Sequence, residues 1–314
     1  MDLAYELHDL VLTLDRWAER RLRSVGLNYN RYVALVVVCE HPGVSGRQLA
    51  GPLRVSEAAA SGIVRSLLDA GTPVIASGFA TAELVKVAAN SFLATKISFI
   101  NAMAEICDAT GADVTMLAQA LGHDERIGRR ALGAGIGFGG GCLPKDIRAF
   151  VARAEELGRG EAVAFLKEVD AINLRGRSRA VAAAEAALGG SVAGATIAVL
   201  GASFKPDTDD VRDSPALDVA SRLHERGAHV RVTDPIALSN AAADKPHLTM
   251  VEDLHTALAG ADLVVLATEW RQFVDLDPAK IGPLVRTRTI VDGRNALDRE
   301  AWSAAGWKHV GIGR

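Results

Sequence analysis

The 314 residues exceed the roughly 100 to 200 of a usual domain, so two or three compact units are expected. With 49% hydrophobic and 23% charged residues, each unit can bury a core, and general disorder is excluded. Thirty-five Lys plus Arg against 38 Asp plus Glu leave a formal net charge of −3, which supplies no global field for drawing in nucleic acid or an anionic membrane.

No apolar run approaches the roughly 20 residues that span a bilayer, and the opening carries Asp2, Glu6 and Asp9 instead of a basic leader. A cytoplasmic protein without a membrane partner is expected. Cys39, Cys107 and Cys142 are odd in number, far apart and without a CxxC pair, which suggests neither a disulfide framework nor a metal site. Cys39 and Cys107 sit in apolar helical runs and read as small buried hydrophobes.

Composition and periodicity change near residues 72 and 190, giving units at 1–71, 72–190 and 191–314. In the first, Leu3, Leu7, Leu10, Leu14 and Trp17 form an apolar stripe on one helix face, fit for a helix dimer seam or a small core. A second helix spans Arg31 to Glu40, and Ser45 and Ser56 are candidate N-caps of two shorter ones. The stretch LNYNRYVALVVVCEHPGVSGRQLAGPLRVSEAAASGIVRSLLDAG resembles the helix-turn-helix half of MarR-type winged-helix regulators. That resemblance implies a major-groove helix with Ser56, Ser61 and Arg65 as DNA contacts. Gly51-Pro52 interrupts its supporting helix, and residues 1–71 hold eight Arg, no Lys and eight acids, a poor balance for neutralising phosphates. A helical packing or dimerisation cap stands beside the DNA reading.

In the second unit Thr81 is a candidate N-cap of one long helix that stops at Gly111. Lys86 and Asn90 share a face of it, set in an apolar surface of Leu84, Val85, Ala88, Phe92, Ile100 and Met103. Such a polar pair is either capped locally or set into a site. A further helix is expected from Glu161 to Leu188. The third unit alternates β-rich apolar runs (TIAVLGASF, AHVRVTDP, ADLVVLAT, RTIVDGRN, KHVGIG) with helices, which indicates a parallel sheet covered on both faces. The expected fold is therefore mainly α in the N-terminal and central regions, followed by an α/β Rossmann-like domain. Ligands of such a sheet collect at the carboxyl ends of its strands, here Gly201 to Lys205, Asp234, Thr268 and Arg294.

Gly135, Gly137 and Gly140 formally satisfy GxGxxG, but no strand precedes them and Cys-Leu-Pro follows. The first turn of the βαβ unit, GASFKP, lacks the second and third glycines of a dinucleotide site. The glycine loop instead brings backbone close to a ligand and presents Cys142 beside it. Pro144 can open a helix as its first residue, and a thiol near a helix N-terminus, with Lys145 adjacent and Asp146 four residues on, has surroundings that favour thiolate. The bland alternative is a flexible turn with an incidental cysteine.

From about Thr72 to Arg314 the chain resembles the UDP-glucose 6-dehydrogenases within the UDP-glucose/GDP-mannose dehydrogenase family. Four motifs carry this in order: ELVKVAANSFLATKISFIN, GHDERIGRRALGAGIGFGGGCLPKD, LGASFKPDTDDVRDSPAL and IVDGRNALD. The resemblance implies oxidation of UDP-glucose to UDP-glucuronate with NAD, through a thiohemiacetal and a thioester on Cys142. Lys86 and Asn90 would stabilise the oxyanions and Asp146 would serve hydrolysis. By the same resemblance Gly133, Gly135, Gly137, Phe138 and Gly139 wrap the sugar diphosphate with backbone amides, and Phe204, Lys205 and Arg294 hold the UDP. Arg126 would reach across a homodimer, while Lys145 and Arg212 would touch the nicotinamide cofactor. The family's N-terminal NAD-binding domain has no counterpart in this sequence, so the expectation is a UDP-sugar-binding homologue with little activity of its own and no tight NAD site. A UDP-sugar-responsive DNA-binding regulator and a fusion or truncation product without function are the alternatives.

Overall fold

A computed structural model describes residues 50–51, 56–69 and 79–314. It divides into two compact units, Met1–Ala89 and Asn90–Arg314. The stripe from Leu3 to Trp17, the helix ending at Glu40, Cys39 and the cap at Ser45 lie outside the described residues. Helix α1 (Glu57–Asp69) starts where the sequence predicts, with the Ser56 hydroxyl accepting the Ala59 amide at 3.2 Å.

Helix α2 (Phe79–Thr110) is already helical two residues before Thr81, so that residue lies in the first turn and is not the cap. It ends at Gly111, whose φ of +74° turns the chain out of the helix. Asp113 caps α3 (Val114–Gly122) by accepting the Thr115 and Met116 amides. Helix α4 (Leu143–Glu156) has Cys142 at its N-cap position, with Pro144 second in the helix instead of first. The single helix expected from Glu161 to Leu188 is a 3-10 turn (Gly160–Val163) followed by α5 (Phe165–Ala187).

Six strands then form one parallel sheet, β1 (Thr196–Leu200), β2 (His229–Thr233), β3 (Thr249–Met250), β4 (Leu263–Leu266), β5 (Thr289–Asp292) and β6 (Lys308–Gly311), in the order β3-β2-β1-β4-β5-β6. The sequence found five of them; the two-residue edge strand β3 is too short to show a period. Alternation sorts the two faces. Ile197, Val199, Leu263, Val265 and Val291 point to one core with Ala180, Val181 and Ala184 of α5 and with α6 (Pro215–Glu225). Ala198, Leu200, Val264, Leu266 and Ile290 point to the other, built on Trp270, Phe273, Trp302 and Trp307. Both faces being covered explains why the central strands β1 and β4 read as continuous apolar runs. The order reverses between β1 and β4, which places a crevice at their carboxyl ends.

Cys107 lies in a third core with Ile100, Ala104, Val114 and Ile312, as a buried hydrophobe should. Burial raises its thiol pKa, and Asp108 and Asp113 push the same way.

Candidate active site

Cys142 is exposed at the N-terminus of α4, where no side chain caps the helix and the helix dipole faces the thiol. One turn on, Asp146 accepts a hydrogen bond from Asn90 of α2 at 2.7 Å, and Lys145 stands 3.8 Å from its other oxygen. Asn90 is thus joined to α4 by a partner 56 residues away and is not capped locally. Lys86 lies one helical turn earlier on α2, half-buried, in the first unit.

Across from the thiol, the Arg212 guanidinium lies flat on Gly141: a Cβ there would meet its Cζ at 2.5 Å. Asp210 holds this guanidinium through Nε at 2.9 Å and Nη2 at 2.6 Å. The Arg212 hydrogen bond holds the Asp210 carboxyl below its ordinary range against its partial burial, and Lys205 adds to the effect. Asp210 in turn raises Arg212, with the charge of Cys142 contributing. Beside them opens a cleft of about 540 Å³ lined by Thr208, Asp209, Asp210, Val211, Arg212 and Asn240.

The glycine loop is buried from Ala134 to Gly140, with Gly133 exposed, so it is no flexible turn. Four of its amides are engaged inside the protein: Gly135 with the Asn101 side chain, Ile136 with the Gly293 carbonyl, Phe138 with the Asn173 side chain and Gly140 with the Arg212 carbonyl. These four cannot wrap a diphosphate, which corrects the sequence expectation for Gly135 and Phe138. The glycines serve close approach instead. A Cβ at Gly135 would meet the Gly293 oxygen at 2.4 Å, at Gly137 the Asn173 Oδ1 at 2.3 Å, and at Gly139 the Asp213 oxygen at 2.1 Å. Phe138 turns its ring into a core of Ala94, Ile147, Val151, Leu166 and Val169.

At the carboxyl end of β1, Gly201 (φ +111°) packs against Thr268, and Phe204 lays its ring over Gly140. Lys205 is exposed, its Nζ 5.4 Å from the Phe204 ring centre. Asp234 and Thr268, expected to face a ligand, are internal. Asp234 Oδ2 accepts the Ala202 and Ser203 amides at 2.8 and 3.1 Å and the Trp270 indole at 3.0 Å. Its Oδ1 accepts the Ile236 and Ala237 amides, and Thr268 donates to the Ser203 carbonyl at 2.7 Å. The amides that would meet a pyrophosphate and the carboxylate that would meet a ribose are thus bonded to each other. This turn does not fit a dinucleotide.

Arg294 donates to the carbonyls of Ala267 at 2.7 Å and Gly137 at 2.9 Å and pairs with Glu269 at 3.2 Å, leaving Nη2 without a partner. Burial lowers its pKa, and Glu269 opposes that. Arg126 stands apart, exposed and forked onto Asp124 at 2.6 Å. Ser56, Ser61 and Arg65 are exposed at α1. Sequence reasoning missed Asn173, Arg177 and Asp213, which hold the glycine loop from α5 and from the turn before α6. The signal available was two polar residues four apart on a helix face that packs against protein. Among the described residues no three His, Cys, Asp or Glu are grouped to hold a metal, and no helix is long and apolar enough to cross a membrane.

Residues 80–175 match the central domain of the UDP-glucose/GDP-mannose dehydrogenase family, and residues 198–299 match its UDP binding domain. A UDP-glucose 6-dehydrogenase of Bacillus subtilis is 42% identical over 247 residues, 77% of this chain and 52% of that protein. One from Pseudomonas aeruginosa is 40% identical over 247 residues, 77% of this chain and 54% of its own length. Among solved structures, a UDP-glucose dehydrogenase from Pyrobaculum islandicum superposes with a TM-score of 0.71 at 39% identity, over 82% of this chain and 57% of the other. A UDP-D-ManNAc dehydrogenase from Pyrococcus horikoshii gives 0.66 at 28% identity, over 82% and 58%. The chain spans somewhat more than half the length of these relatives. The thiol on its glycine loop, the six-stranded sheet and these matches together make the chain a member of the UDP-glucose/GDP-mannose dehydrogenase family, carrying its central and UDP-binding domains.

Proposed function

We propose that the chain binds UDP-glucose or a related UDP-hexose at the carboxyl end of β1 and holds Cys142 as the nucleophile of a UDP-glucose 6-dehydrogenase reaction. The observation that carries this is the meeting of three features at one place: an exposed thiol on the N-terminus of α4, the Asn90–Asp146 pair one turn below it, and the Arg212 guanidinium on the adjacent glycine. Lys205, exposed beside the Phe204 ring, is the cation for the nucleotide phosphates. Arg294 orders the loop by bridging two carbonyls and offers its unpartnered Nη2 to the ligand.

In this reading Cys142 adds to an aldehyde at C6: the S–C bond forms, the carbonyl π pair moves to oxygen, and the thiol proton ends on that oxygen. Asn90 fixes Asp146 beside the thiol, and Lys86 stabilises the oxyanion. Hydride removal needs nicotinamide, and the turn after β1 does not take a dinucleotide, so that turn supplies no hydride acceptor. Lys145 and Arg212 remain candidates for contact with a nicotinamide carried by residues outside this sequence.

Phe92, Phe99 and Ile106 recur every seven residues on α2 at 67, 48 and 56% exposure, a stripe suited to a second copy of the chain, with Arg126 reaching into the neighbouring site. Ile100, expected in that surface, is fully buried, about 100° round the helix from Phe99. Sedimentation equilibrium should show a dimer that Phe92→Asp dissociates; a monomeric parent refutes the pairing.

Calorimetric titration tests the main reading. UDP-glucose should bind, and Lys205→Ala should weaken it by about 1.5 to 3 kcal/mol through loss of a charge-assisted hydrogen bond. NAD should not bind, and no NADH should form from UDP-glucose. UDP-glucose bearing a C6 aldehyde should protect Cys142 from alkylation, and UDP alone should not. Tight NAD binding, or absence of any UDP-glucose binding, overturns the proposal.

A further inference from the structure

The glycine loop that leads to Cys142 is held between two walls, α5 and the segment Arg212 to Pro215, and one buried side chain ties the walls together. Arg177 of α5 is 4% exposed. Its Nη2 donates to the Phe138 carbonyl at 3.3 Å, to the Asp213 carbonyl at 3.4 Å and to Asp213 Oδ1 at 2.9 Å, while Nη1 reaches Asp218 at 3.3 Å. Phe138 lies four residues before the thiol. Asp213 follows Arg212, whose carbonyl accepts the Gly140 amide and whose guanidinium covers Gly141. Asp213 adopts φ +47°, a conformation that a non-glycine residue keeps only where its surroundings impose it. Arg148, on the helix that Cys142 opens, faces the other oxygen of the same carboxylate at 3.6 Å.

We propose that Arg177 is a positioning residue for Cys142: through Phe138 and Asp213 it fixes the thiol loop against Arg212. Lysine cannot reproduce this, because one ammonium point charge cannot meet the Phe138 and Asp213 acceptors and reach Asp218 as well, which the two arms of the guanidinium divide between them. Within the unit Asn90–Arg314, charged groups beside the thiol are Lys145 and Asp146 on its own helix and Arg212 with Asp210 on the opposite segment. Moving Arg212 removes the nearest cation of that opposite wall. The inference deepens the reading of Cys142 as a nucleophile, but its test needs neither ligand nor turnover.

The test is the rate of Cys142 carboxamidomethylation by iodoacetamide across pH 6 to 10, read by peptide mass spectrometry on the full chain, with buried Cys107 as the internal reference. Arg177→Met should slow Cys142 at pH 7 at least threefold and move the profile to higher pH, with a cooperative melt retained. Arg177→Lys should shift it in the same direction by a smaller amount. If Arg177→Met does not fold, Arg177→Lys and Asp213→Asn decide, each expected to slow the thiol at least twofold. An unchanged Cys142 profile in a folded variant overturns the proposal. UDP-glucose titration of the parent separates the two readings: absence of nucleotide binding strikes the proposed function, and an unmoved thiol in the variants strikes Arg177.

Discussion

Two glycine-bearing turns face each other in this molecule, and their appearances are reversed. The loop from Gly135 to Gly140 spells a dinucleotide fingerprint, yet its glycines exist so that neighbouring carbonyls and side chains can approach within van der Waals distance. The turn after β1 sits where a dinucleotide fingerprint belongs, yet its amides close onto Asp234. A glycine pattern reports close approach; what approaches is decided by where the amides point.

Breaking the first turn should have the largest effect. In Gly137→Ala the Cβ meets Asn173 Oδ1 at 2.3 Å at a backbone φ of +94°. Overpacking and backbone strain together are expected to cost ~3 kcal/mol, read as a fall in the denaturant midpoint and loss of UDP-glucose binding. An unchanged midpoint would mean the loop is not packed as described.

The second turn should break almost as sharply. Both oxygens of Asp234 accept only donors, so in Asp234→Asn the amide NH₂ meets a donor in either orientation. A loss of about 2 to 3 kcal/mol is expected, without any gain of NAD binding. Acquired NAD affinity would refute the account of why this turn excludes a dinucleotide.

The smallest effect sharpens the comparison from outside both turns. Burial disfavours the Asp113 carboxylate, but the Thr115 hydroxyl and amide, the Met116 amide and Arg314 outweigh it and hold the carboxyl below its usual value. Its contribution is therefore full above the unfolded carboxyl pKa of about 3.9 and is lost as pH falls through the lower folded value. Asp113→Ala should cost about 1 kcal/mol at pH 7 and flatten the acid limb of the stability curve, with Cys142 reactivity unmoved.

The sheet was legible because its strands are long apolar runs bounded by Gly and Asp; β3, with two residues, carried no period. The helix start beside Cys142 was legible from the proline that follows it, whereas spacing alone left Asn90 open because its partner Asp146 lies on another helix. Asp234 and Thr268 were misplaced because position at a strand end shows where a side chain is, not which neighbour has already bonded it. Asn173 and Arg177 stayed hidden for the same reason in reverse. A polar residue in a helix looks solvent-facing until the loop it holds, 35 and 39 residues earlier in the chain, is folded against it.

The tie between the loop and the sheet also sets a clock. Ile136 donates to Gly293, and Arg294 joins Gly137 to Ala267, so the loop is laced to the ends of β4 and β5. Its amides at Gly135, Ile136 and Phe138 have acceptors on buried residues, as strand amides do. In deuterated water they should exchange in step with β4 and β5, through whole-domain opening, while the exposed amide of Gly133 exchanges early. A segment without helix or strand would then share the lifetime of the sheet, and the thiol that follows it would keep its place for as long as the domain stays closed.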